Sequence, residues 1–194
     1  MLGGNVGFAV AGGRSLRMGR DKALLPWQGA TLLDHTVARL RSACQEVRIL
    51  SGPERRYEDL GVPVEIDSMA DAGPLAGIHS ALTGIGLRHG LFLAVDLPFV
   101  PTPLLARLLE VALEFDAVVP VHAGGTEPLC AVYGPACLEP IGRRLRAGER
   151  KMTAFWPDVR VRILEEAEIA PFGEPALLFR NLNGPSDWAA LSER

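Results

Sequence analysis

Cysteine is scarce in this chain of 194 residues: there are three, Cys44, Cys130 and Cys137. None stands in a C-x-x-C pair, so neither a disulfide framework nor a thiolate zinc site is expected. The four histidines, His35, His79, His89 and His122, lie too far apart for the usual local metal-ligand spacing. Long apolar runs are also missing. The longest, such as LFLAV at 91–95, have the length of a buried strand and fall short of a bilayer. Nor is there a large excess of one charge: a net charge of −3 and a pI near 5.8 leave no global attraction for nucleic acid. With no basic and apolar leader in view, cytoplasmic residence is expected, with no membrane or nucleic-acid partner, and as a monomer.

Hydrophobic residues make up 48% of the chain, enough for one sizeable core. Residues 5–10, 46–51, 62–66 and 91–95 read as short strands separated by helix-periodic segments. That alternation predicts an α/β fold, a mostly parallel central sheet covered on both faces in three Rossmann-like layers. Thr31 and Asp34 have capping-box spacing ahead of a helix carrying Leu33, Val37 and Leu40 on one face. Thr102 opens another helix, with Leu104, Leu105, Leu108, Leu109 and Ala112 as a buried stripe. Beyond Phe115, strands are expected at 116–120, 128–134 and 160–164. A helix is expected over 135–148, beginning or bending at Pro140.

In open parallel sheets, ligands bind outside the carboxyl ends of the strands. After the first strand stands AGGRSLRMGRDK, with small residues Ala11, Gly12 and Gly13 and four cations, Arg14, Arg17, Arg20 and Lys22. It matches neither G-x-x-x-x-G-K-[ST] nor G-x-G-x-x-G. It is either a cradle for phosphate oxygens or a turn with solvated arginines. After the third strand, Asp67 either caps a turn or accepts hydrogen bonds from a base or ribose. After the fourth, Asp96 follows five apolar residues, where magnesium bridging to phosphates would offset its desolvation; a fold-stabilising or helix-capping role is the alternative. Asn181 and Asn183 in NLNGPSDW point the same way if extended, toward waters, a metal and phosphate, or simply form a turn. Together these features are consistent with a nucleoside triphosphate held across the sheet edge, and with nucleotidyl transfer rather than hydrolysis.

The segments VAGGRSLRMGRDKALL (10–25), DSMADAGPLAGIHSAL (67–82), VDLP (95–98), EPLCAVY (127–133) and NLNGPSDW (181–188) resemble those of the molybdenum cofactor guanylyltransferases, a family of the nucleotidyltransferase superfamily. The resemblance implies a single nucleotidyltransferase domain over 1–194, with nucleotide binding in about 1–100 and acceptor binding in about 101–194. The implied reaction moves GMP from GTP to the terminal phosphate of molybdopterin and releases pyrophosphate. It implies contacts of Val10, Ala11, Gly12 and Gly13 with the guanine and nucleotide, of Lys22 with phosphates and of Asp67 with the nucleoside. Asp96 becomes the Mg2+ ligand, Arg17 a second phosphate clamp, and Asn181 and Asn183 lie near molybdopterin. Leu50 falls where such enzymes often carry asparagine, leaving a backbone or apolar contact there. Transient contact with cofactor-biosynthesis proteins and acceptor molybdoenzymes is also implied. The competing expectations are a cytidylyltransferase acting on molybdopterin or on a sugar or polyol phosphate, in which alanine is common at the Gly12 position, and a non-catalytic nucleotide-binding maturation factor.

Overall fold

The computed structural model describes residues 4–12, 21–67, 69 and 73–182. Its first strand, β1 (Val6–Val10), has Val6, Phe8 and Ala9 fully buried, as expected of a strand covered on both faces. In chain order there follow a small hairpin, β2 (Pro26–Trp27) and β3 (Ala30–Thr31), then β4 (Glu46–Leu50), β5 (Val64–Glu65), β6 (Gly90–Ala94), β7 (Ala117–His122), β8 (Gly125–Thr126), β9 (Cys130–Tyr133) and β10 (Val161–Leu164). The main sheet runs β10-β7-β9-β6-β1-β4-β5, and β8 pairs with β7. Strand β1 pairs in parallel with β4 and β6, and β4 with β5. Strand β9 runs antiparallel between β6 and β7, and β10 is parallel to β7. The predominantly parallel Rossmann-like sheet is therefore present, with β9 as a reversed strand inside it.

Helices α1 (Leu32–Ala43) and α3 (Thr102–Val111) cover one face, α2 (Pro74–Ile85) and α4 (Leu138–Arg146) the other; α5 (Glu166–Ile169) and α6 (Pro175–Leu178) are short. The capping box forms: Thr31 Oγ1 accepts from Asp34 N, and Asp34 Oδ2 accepts from Thr31 N. Leu33, Val37 and Leu40 then pack with Ala9, Ile49 and Leu93. On the other face, Phe8 and its register partner Phe92 stack at 4.9 Å, Phe92 meets Tyr133, and Tyr133 meets Phe155. This aromatic row fastens reversed β9 to the parallel strands.

Pro140 does not start the helix, which begins at Leu138. It sits in the first turn of α4, after a 3-10 turn at Pro135–Cys137, where a missing N–H costs no helical hydrogen bond. The expected third strand contracts to the two residues of β5. The β2–β3 hairpin was not legible; its tip, Gln28 and Gly29, takes positive φ values of 45° and 86°. Among the described residues, no helix is long and apolar enough to cross a membrane.

Candidate active site

The chain segments leaving β1, β4 and β5 interlock through their backbones. Ala11 N donates to Leu50 O at 2.9 Å, Ser51 N to Glu65 O at 3.1 Å and Asp67 N to Gly52 O at 2.9 Å. Gly52 adopts φ +82°, and Gly12 lies against it so closely that a Cβ at position 12 would stand 2.9 Å from Gly52 N and 3.0 Å from Gly52 Cα. Only glycine at 12 permits this approach without moving backbone. Beside the junction opens a cavity of about 530 Å³, lined by Val10, Gly12, Leu50, Ser51, Gly52 and Asp67, by Pro53, Glu54 and Arg56, and by the first turn of α2. Its size suits a small organic ligand.

Asp67 lines this cavity half-buried, and burial raises its carboxyl above the ordinary carboxylate range. It lies against Gly77 of α2, where a Cβ would stand 3.0 Å from its Oδ1, so glycine makes room for the carboxylate. Leu50, only 2% exposed, contributes apolar wall and uses its carbonyl to hold Ala11.

At the neighbouring strand end, Lys22 Nζ donates to Asp96 Oδ2 at 2.9 Å, both side chains being mostly shielded. Residue 22 opens a 3-10 turn (Lys22–Leu24) capped by Asp21, whose Oδ1 accepts from Ala23 N at 3.0 Å. The Asp96 turn is held from below by Arg39 of α1, whose Nη1 donates to the carbonyls of Leu97, Pro98 and Val100 at 3.2, 2.7 and 2.9 Å. Val95 N donates to Val10 O, tying this turn to β1, and Leu182 N donates to Asp96 O at 3.1 Å. That last bond brings the Asn181–Leu182 backbone to Asp96.

Near Asp96 lies a further carboxylate, Glu127, whose Oε1 meets His122 Nε2 at 3.1 Å; the imidazole stacks on Phe179. Gly124 N donates to His122 Nδ1, which leaves Nε2 to donate to Glu127. Burial, with Asp96's charge adding to it, raises Glu127 even though the His122 bond opposes the shift.

Of the residues singled out from sequence, Val10, Gly12, Leu50 and Asp67 line the cavity and Ala11 adjoins it, while Lys22, Asp96 and the Asn181 backbone gather at the adjacent strand end. Gly13, Arg17 and Asn183 lie outside the described residues, as do Arg14, Arg20 and the helix expected near Ser186. Asp21, Arg39, Ser51, Glu54 and Arg56 also belong to this region, as do His122 and Glu127, and none of them has a local sequence pattern that points to a role. Arg39 sat on the polar side of a helix read only for its apolar stripe. A readable signal existed for Gly52, since SGP after a strand marks a turn. Among the described residues, no three His, Cys, Asp or Glu side chains come together as a metal site.

Residues 7–161 match the MobA-like NTP transferase domain. A "Probable molybdenum cofactor guanylyltransferase" of Pelotomaculum thermopropionicum is 37% identical over 181 residues, 93% of this chain and 88% of the relative. The crystal structure of the molybdopterin-guanine dinucleotide biosynthesis protein A from Archaeoglobus fulgidus superimposes with a TM-score of 0.82 at 25% identity, over 97% of both chains. The 2-C-methyl-D-erythritol 4-phosphate cytidylyltransferase of Thermus thermophilus shares the fold, with a TM-score of 0.69 at 21% identity over the whole of both chains. With its glycine-built cavity and its Lys22–Asp96 pair at the sheet edge, the chain belongs to the MobA-like molybdenum cofactor guanylyltransferase family and has the fold of the nucleotidyltransferases.

Proposed function

We propose that the protein transfers GMP from GTP to the terminal phosphate of molybdopterin, forming molybdopterin guanine dinucleotide and releasing pyrophosphate. The observation that carries this proposal is the Lys22–Asp96 pair beside a glycine-walled cavity that also holds Asp67. In this assignment the first hundred residues take the nucleotide and the remainder, with Asn181, takes the acceptor. The cavity holds the nucleoside, with Asp67 accepting hydrogen bonds from it, and Lys22 meets the phosphates.

Among the described residues Asp96 offers one carboxylate, paired with the Lys22 ammonium, and Glu127 stands near it. That donor set fits magnesium, which prefers oxygen, retains waters and is shared with substrate phosphates rather than caged by protein. When bound, magnesium would neutralise phosphate charge and lower the repulsion between the two anionic substrates. In the reaction, an oxygen of the acceptor phosphate forms a bond to the α-phosphorus. The bond from that phosphorus to the bridging oxygen breaks, and pyrophosphate departs with the electron pair. Lys22 stabilises the charge gathering on the leaving group, and Arg39 keeps the Asp96 turn in place. The acceptor is already an anion, so the work of the chain is alignment and no side-chain nucleophile is required.

A cytidylyltransferase is the second reading, and one observation favours keeping it. Gly12 is demanded by the Gly52 backbone, so the glycine at this position does not itself select guanine. Pyrophosphate release with magnesium, molybdopterin and GTP, CTP, ATP or UTP, followed by mass measurement of the product, separates the two. GTP is expected to be preferred; equal or better use of CTP would overturn the guanylyl assignment.

A further inference from the structure

Asp21 is held more firmly than its capping role requires. Its Oδ1 caps the Lys22–Leu24 turn. Its Oδ2 takes two more donors from the loop after β4: Arg56 Nη1 at 3.0 Å and Tyr57 Oη at 2.6 Å. The Arg56 guanidinium also donates through Nη2 to Ser51 O at 2.9 Å and lies 5.1 Å from the Tyr57 ring centroid. Burial, and then the Asp21 bond, push the Tyr57 phenol well above its ordinary range, so it remains a donor at any working pH. Tyr57 itself has φ +68°, a left-handed conformation that a bulky residue adopts only when its surroundings over-determine it. Two consecutive side chains thus converge on one oxygen of the residue preceding Lys22. One of them, Arg56, together with Ser51 forms part of the cavity wall.

We propose that Arg56 and Tyr57 are positioning residues for Lys22. Acting through Asp21, they latch the Lys22 turn to the cavity wall and fix the ammonium at Asp96, where the reacting phosphates are to be met. The latch is a property of the fold; its use in phosphate binding rests on the nucleotidyl-transfer proposal above. Charge-assisted bonds to a shielded carboxylate are strong enough to hold a short turn, and displacing a phosphate-binding group by about 1 Å is enough to slow a reaction severely.

The chain offers an internal gauge, because Lys22 and Lys151 are its only lysines and Lys151 is exposed. Amine labelling read by mass spectrometry gives the Lys22:Lys151 rate ratio without any ligand. In Tyr57→Phe, which keeps the ring and removes one donor, and in Asp21→Asn and Arg56→Met, the ratio is expected to rise by about three- to tenfold as Lys22 leaves Asp96. Arg56→Lys should restore part of the protection. In parallel, Tyr57→Phe should weaken binding of the magnesium nucleoside triphosphate that the wild type prefers by about tenfold, the effect of one hydrogen bond to a charged group. An unchanged labelling ratio in all of these variants, whatever happens to Tm, would overturn the latch. A raised ratio in a protein whose wild type binds no nucleoside triphosphate would instead uphold the latch and overturn the nucleotidyl-transfer proposal.

Discussion

Beyond β4 and β5 the chain segments meet backbone to backbone, with Gly12 seated on Gly52 and the amides of Ala11 and Asp67 donating into Leu50 and Gly52. At the amino ends of β7 and β10 the backbone also bonds, Asp116 N to Arg160 O at 3.0 Å, but the surface there is finished by side-chain ion pairs, Arg160 with Asp116 at 3.0 Å and Arg144 with Asp158 at 2.8 Å; after β10, Glu168 pairs with Arg162 at 2.8 Å. The first kind of construction has no slack, because a methyl group would have to displace main chain. The second is wet and replaceable, since solvent screens such pairs and their net contribution is small. A site proposed to hold two polyanions in register gains from rigid backbone on the side where they are aligned. A wall of exchangeable charges suits a surface that mainly needs solubility.

The rigid region is the more sensitive of the two to substitution. Lys22→Ala should lower turnover in the pyrophosphate-release assay by about 10- to 1000-fold, as for removal of one preorganised electrostatic donor, while urea unfolding shifts much less. Next in size, Gly12→Ala should destabilise the fold by about 1–3 kcal/mol, the usual penalty of overpacking, and reduce nucleotide affinity with it. An unfolding midpoint equal to wild type would mean the two loops are not interlocked.

Asp67→Asn carries a smaller effect of opposite sign. Burial holds the folded-state pKa of Asp67 above its ordinary value of 3.8. The ionised carboxylate therefore disfavours folding at neutral pH, and the handicap fades as pH falls through the folded pKa toward the unfolded one. The substituted protein should melt higher than wild type at pH 7 and converge with it as pH falls below about 4, while binding nucleotide more weakly. Last, Arg160→Ala on the far wing should leave both Tm and turnover unchanged within error, because Arg160 is 71% exposed in its side chain.

Much of this architecture could be read along the chain. Buried strands such as LFLAV and the capping box at Thr31 declare themselves through local periodicity and spacing, and both are where local physics puts them. The strand-end placement of Asp67 and Asp96 followed from the same logic, because polar residues directly after apolar strands must sit at the sheet edge; Lys22, twelve residues past β1, reaches that edge through its bond to Asp96. What local sequence does not carry is which distant partners converge. Arg39 finds three carbonyls some sixty residues away, and Tyr57 reaches back to Asp21. The reversed β9 is legible as a strand, but its direction depends on tertiary pairing, and the two-residue strands fall below any periodic signal.

The place of β9 between β6 and β7 sets the order in which the sheet can close during synthesis. Strands β6 and β7 do not touch; each pairs with β9, through Leu93↔Cys130 on one edge and Val118↔Val132 on the other. During synthesis the amino-terminal strands can gather as soon as residue 94 has emerged. The later strands have no main-chain bond to them until residues 130–133 slide into the slot, some forty residues after β6 is made. Through that interval β6 presents an open, apolar edge, the kind of template that recruits other chains. A chain halted just before Cys130 would be captive to that exposed edge, whereas four further residues would join the halves into one sheet.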